Sequence, residues 1–237
     1  MNKVDLIGSG QEKALFAGRE IRAKSKTIHL LDVQFAELPR VAMTGYAGLA
    51  TLLRFQDVPI TTVGIFNKAH GPAGIEYSYS LMNEQTRPDA LTFSHLAAVA
   101  EEIIAGAGRQ NELQVNLWGV EKYADLQHKV AEKRGIRIPD HQIPFEVLDE
   151  YLTQLKVPCL VRASGHSKVA VGVDESAEDV IGRLYKEYYF HDLQSSTSKI
   201  TPQSQSDFED KWKKEDPAMN KDHPELTPYL ILAIRKR

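Results

Sequence analysis

The chain has 237 residues, 42% hydrophobic and 26% charged, with 29 Lys and Arg against 32 Asp and Glu and a formal net charge of -3. That length suits one large or two small domains with a proper core, and the slightly acidic balance leaves no overall basic footprint, so a nucleic-acid partner is not expected. A single cysteine, Cys159, excludes an internal disulfide, a CxxC redox pair and a multi-cysteine zinc site.

The first residues, MNKVDLIGSGQEKALFAGREIRAK, lack the apolar core of a signal peptide, and no stretch approaches the roughly 18–20 apolar residues of a membrane span. The expectation is a cytoplasmic protein, or one delivered without a signal peptide, that does not engage a membrane. Gly8-Ser9-Gly10 is not followed by Gly-Lys-Ser/Thr and reads as a turn before an amphipathic helix, not as a phosphate loop. Residues 27–35 (TIHLLDVQF) suit a strand leading into a loop at Pro39. In MTGYAGLATLLRFQ a turn at Gly45 feeds a helix whose Leu49, Leu52, Leu53 and Phe55 share a face, with Ala47 near its start. Residues 60–90 mix β-branched side chains with Gly71-Pro72, Gly74 and Arg87-Pro88, which predicts strand fragments and loops.

Two helices are predicted next. Phe93, Leu96, Ala97, Ala100, Ile103 and Ile104 form one stripe ending at Gly106 and Gly108; Tyr123, Leu126 and Val130 form another over 120–134, closed by Gly135. A helix over 144–155, with Pro144 in its first turn, precedes three strands at 157–163, 166–173 and 184–191. Residues 193–227 are polar, either a flap, an insertion, or a helix around Phe208 and Trp212, and YLILAI is a last strand. No repeat is visible. The reading is one α+β domain, with a helical half over about 1–156 packed on an antiparallel β-sheet half over about 157–237.

The chemistry-bearing cluster is Gly165-His166, opening one strand, and His191-Asp192, closing the next. Adjacent antiparallel strands can bring such a His and Asp within hydrogen-bond reach, the Asp fixing the imidazole tautomer and the imidazole activating a nucleophile. These residues also serve merely to end their strands in a purely structural reading. Three histidine and carboxylate groups, His166, His191 and Asp192, could bind a metal, but neighbours on a strand point to opposite faces, and neither a metal nor a cofactor is expected. Cys159, in an apolar run, reads as a small buried hydrophobe. Ser164 and Ser167 lie in no GxSxG elbow, and the remaining histidines show no ligand spacing. KWKKED and the terminal IRKR read as solvated faces.

The run VPCLVRASGHSKVAVGVDES followed by YYFHDLQ resembles the second half of papain-like cysteine peptidases, in particular the bacteriocin-leader-processing branch. Upstream, Tyr46-Ala47-Gly48-Leu49-Ala50-Thr51-Leu52 resembles that family's Cys-Gly-x-Ala-x-Leu segment, and the Tyr-Cys-Gly-Leu-Ala of phytochelatin synthases, with Ala47 where the cysteine stands. The resemblance implies a papain-like fold in which His166 is the general base, Asp192 orients it, and Ala47 marks the nucleophile position at a helix N-terminus. There the dipole and free N–H groups would favour a thiolate. Gly48 and Gly165 would admit the substrate. The family's oxyanion glutamine is expected about six residues ahead of the nucleophile, where Val41 stands; Gln34 is the nearest upstream candidate. The expected function is a cysteine hydrolase acting on peptide or isopeptide-like amides, with a peptide or protein substrate as partner, inactive as it stands because of Ala47. The retained Gly48, Gly165, His166 and Asp192 favour an inactivating substitution. A natural binding module with the same cleft, and amide or acyl transfer or deamidation by the same triad, are the alternatives. Oligomeric state is not legible.

Overall fold

The structure, a computed structural model, describes residues 13–16, 19–22, 28–37, 43–69, 93–118, 144–163, 166–191, 193, 200–213 and 229–237. Its framework is a seven-stranded, wholly antiparallel sheet. The three expected strands form a meander: β5 (Cys159–Ala163), β6 (His166–Glu178) and β7 (Leu184–His191). Beyond β7 lies β8 (Ile200–Ser204), and on the other side β9 (Ile231–Lys236) pairs β5 and then β4 (Leu113–Trp118). The first strand of the chain, β1 (Lys13–Phe16), pairs β2 (Arg19–Arg22) in a separate two-stranded ribbon, where the sequence reading had placed a helix.

β6 organises the sheet. One of its edges carries β7 along its length; the other is shared by β5, paired from His166 to Ala170, and by β3 (Ile28–Leu30), paired from Gly172 to Asp174. Gly172 makes this sharing possible. A Cβ there would lie 2.4 Å from the His29 carbonyl oxygen and 3.1 Å from the Leu30 Cα, both backbone atoms that cannot turn aside. The β6 residues from Val169 to Asp174 are all buried, so the Val169, Val171, Val173 alternation is covered on both faces.

Helices supply that cover. α1 (Thr44–Phe55) and α2 (Phe93–Gly106) lie on one face. There Leu117, Leu232 and Leu160 stand in register across β4, β9 and β5, and Leu160 packs into the notch left by Gly48 of α1. On the other face, α3 (Pro144–Asp149) widens into a π-helical turn over Glu150–Leu155, closed by Lys156 in the left-handed region. Phe145 of α3 meets Tyr188 of β7 and, with Phe190, the Phe208 and Trp212 of α4 (Gln205–Lys213) in an aromatic cluster. Asp149, at the junction, accepts a hydrogen bond from the Tyr188 hydroxyl at 2.8 Å and an ion pair from Lys186 at 2.5 Å.

Other expectations change or resolve. Residues 62–69 are helical instead of strand fragments, because Thr62 and Ile65 point inward one helical turn apart. The polar stretch after 193 contains β8 and α4, the helix around Phe208 and Trp212 being the reading that holds. β3 and β4, from the first 156 residues, are built into the sheet, so helices and strands interleave along the chain. The expected helix over 120–134 lies outside the described residues.

Two outcomes follow from this packing. Gly172→Ala should lower stability by about 3 kcal/mol, read as a fall in urea midpoint at constant slope, since β3 must leave β6 to make room. Tyr151, which accepts a hydrogen bond from the Trp118 indole at 2.9 Å, has its hydroxyl pushed up to about 12, chiefly by burial. Its neutral form is what the fold accommodates, so this contribution is complete below pH 10 and lost as pH rises from there through 12. Alkaline titration at 295 nm should show late tyrosinate formation coinciding with loss of the far-ultraviolet circular dichroism.

Candidate functional site

α1 runs across the sheet from β6 to β9. Its first turn lies beside the start of β6, its middle meets Leu160 of β5, and at its end the Gln56 side-chain amide donates to the Ile234 carbonyl of β9 at 2.7 Å. The helix is entered through Met43 without a side-chain cap. Thr44, its first residue, accepts the Ser167 backbone N–H on its hydroxyl at 3.4 Å, and the Ser167 hydroxyl lies 3.7 Å from where a Gly45 Cβ would be.

The register explains that contact. In an antiparallel ladder every second residue turns its N–H away from one neighbour and toward the other. Ser167 and Val169 therefore face the β7 side of β6. Val169 pairs His191, the last described pair of that ladder, and the Ser167 amide, one step beyond, goes to Thr44. Beyond the last described pair of that ladder, the start of α1 thus takes up the Ser167 amide, immediately after His166.

The sequence-predicted residues fall as follows. His166 is the first residue of β6, half-buried, with its Nδ1 shielded from solvent. Alternation puts its Cβ on the face shared with Lys168, whose ammonium lies 6.0 Å from the Phe190 ring centre. Ala47 is 0% exposed, and its carbonyl accepts the Thr51 hydroxyl at 2.8 Å. That hydroxyl in turn accepts the Ala36 N–H at 3.0 Å. Gly48 makes room for Leu160, with a Cβ there falling 2.2 Å from a Leu160 methyl, so its missing side chain serves the helix–sheet contact. Gly165 and Asp192 lie outside the described residues. Gln34 is exposed and lines a surface cavity with Arg54, Asp57, Pro59, Ile60 and Thr61, beside the far end of α1. The extended segment after β3 runs along the helix and turns its even-numbered Asp32 and Gln34 to solvent, while Leu31 and Val33 go inward.

His191 is buried and stacks on Phe35 with ring centres 3.4 Å apart and planes 9° from parallel. Cys159 is 0% exposed on the face opposite α1, and burial pushes its thiol well up from the ordinary range. Among the described residues, no group of three or more His, Cys, Asp and Glu side chains is placed to hold a metal, and no helix is long and apolar enough to cross a membrane.

Thr44 and Ser167 are the residues at this edge that sequence pattern did not single out as a pair. The signal was present in degenerate form. A pattern of Gly, any residue, Ala, any residue, Leu follows Thr44 as Gly45-Tyr46-Ala47-Gly48-Leu49, and follows Ala47 as Gly48-Leu49-Ala50-Thr51-Leu52. The two registers differ by three residues, less than one helical turn.

No family model matches the chain, and no curated protein matches it either. Among solved structures, it is similar to a double-glycine-motif protease from an AMS/PCAT transporter, crystallised in complex with the leader peptide. The identity is 12%, over 87% of this chain and 93% of that one, with a TM-score of 0.39.

Because the one thiol is sealed in the sheet, the folded chain should react with iodoacetamide at pH 8 at least about 100-fold more slowly than free cysteine, and at the free rate in denaturing urea. Mass-spectrometric labelling time courses measure both.

Proposed function

We propose that the chain is a papain-like, peptidase-type domain that takes a peptide or isopeptide-like amide between the start of α1 and the start of β6, and that it stands here without its nucleophilic thiol. The observation that carries the reading is the Ser167 N–H to Thr44 hydroxyl contact. It sets a helix N-terminus, where free N–H groups and the dipole favour a developing negative charge, against the residue that follows His166.

In this reading a cysteine near the start of α1 is the nucleophile, at the position the resemblance assigns to Ala47. His166 takes the thiol proton, the sulfur adds to the amide carbonyl carbon, and the C–N bond breaks as the amine leaves with the proton from His166. Water then adds to the thioester with His166 as base, and the C–S bond breaks to return the acid and the thiol. Asp192 orients the imidazole. The chain as it stands has a methyl at Ala47, a hydroxyl at Thr44 and a sealed thiol at Cys159, none of which supplies a thiolate. That absence favours a second reading, binding of the peptide without turnover in the same cleft.

A panel of peptidyl aminomethylcoumarins tests the proposal. The chain as it stands should release no fluorophore above the blank. A variant with a thiol near the start of α1 should release it, and His166→Ala in that background should abolish release. Absence of release from thiol variants at both Thr44 and Ala47 that keep the native circular dichroism and bind none of the peptides would overturn it.

A further inference from the structure

We infer that the α1 residue facing His166 across the site is Thr44 and not Ala47, so that the cleft of this chain presents a threonine hydroxyl where the reaction needs a thiol. The inference rests on the papain-like reading and fixes its register. Three observations carry it.

Thr44 is the first residue of α1 and accepts the Ser167 amide, one step beyond the last described pair of the β6–β7 ladder. That contact puts the Thr44 hydroxyl one residue along β6 from His166, whose Cβ alternation turns to the opposite face from the Ser167 side chain. Ala47 sits deeper. Its neighbour Gly48 already packs on Leu160, which pairs with Val169, three residues along β6 from His166. Finally, Thr44 is 1% exposed and Ala47 0%, but the half-buried Gly45, the one residue from Thr44 to Leu53 that is not buried, is the immediate neighbour of Thr44.

A charge balance points the same way. A thiolate at the first helical residue meets N–H groups with no intrahelical partner. A thiol at position 47 would lie one turn in, enclosed by apolar core.

The test compares Thr44→Cys and Ala47→Cys, each with and without His166→Ala, by iodoacetamide labelling at pH 7. In that reaction the thiolate sulfur displaces iodide, the S–C bond forming as the C–I bond breaks. The expected result is labelling of Thr44→Cys about tenfold faster than free cysteine, falling severalfold on adding His166→Ala, with Ala47→Cys as slow as Cys159. Fast labelling at 47 and slow labelling at 44 overturns the register and leaves the papain-like reading standing. Fast labelling at 44 that ignores His166→Ala overturns the facing of Thr44 and His166. Slow labelling at both positions in folded variants overturns the papain-like reading itself, and the register with it. Should Thr44→Cys lose the native circular dichroism, hydrogen exchange of the Ser167 amide decides. Thr44→Val should speed it at least about tenfold over Thr44→Ser, and equal exchange overturns the inference.

Discussion

The arrangement depends on one helix lying diagonally across three strands. α1 touches β6 at its first turn, β5 through Gly48 and Leu160, and β9 through Gln56 and the Ile234 carbonyl. A side chain at position 48 would lift the helix off the sheet by the thickness of a methyl group, and both polar contacts at its ends would lengthen together. Packed interiors transmit such displacements because they hold no spare volume. The position of Thr44 at the β6 edge is therefore set by an apolar contact several residues away from it.

Much of this was legible in the sequence, for identifiable reasons. The helix over Thr44–Phe55 announces itself through Leu49, Leu52 and Leu53, and the meander through β-branched runs ending at Ala163 and His191, because period is a local property. The neighbours of a strand are not local. Nothing in YLILAI tells that β9 inserts between β4 and β5, or that β3 takes over the edge of β6 where β5 stops. Composition also misleads where tertiary contacts choose. Residues 62–69 carry β-branched side chains yet form helix, since Thr62 has the Glu37 carbonyl to donate to and Ile65 a core to enter.

The candidate site shows the same division more sharply. His166 at the head of a strand follows from pattern. Ala47 comes from the resemblance of Tyr46–Leu52 to a family segment, and Gln34 only from being the nearest upstream glutamine, the family spacing falling on Val41. Gln34 faces solvent near Arg54 and Asp57, and the pattern around Ala47 repeats from Thr44. The Ser167 amide, which meets Thr44, is a backbone group with no sequence signature of its own.

β9 is the last of the strands in chain order, yet it sits between β4 and β5 and receives the far end of α1. During synthesis α1 and β6 are both available well before β9 emerges, while β4 has no neighbour on that side. The helix can dock at its site end early, but its tilt is set only when β9 threads in between two strands already made. Pairing elements so distant in sequence is slow, since the loop must close before its contacts reward it. Final alignment of α1 on the sheet is thus a terminal event of folding, and an incompletely synthesised chain would hold Thr44 and Ser167 without fixing the tilt of the helix between them and β9.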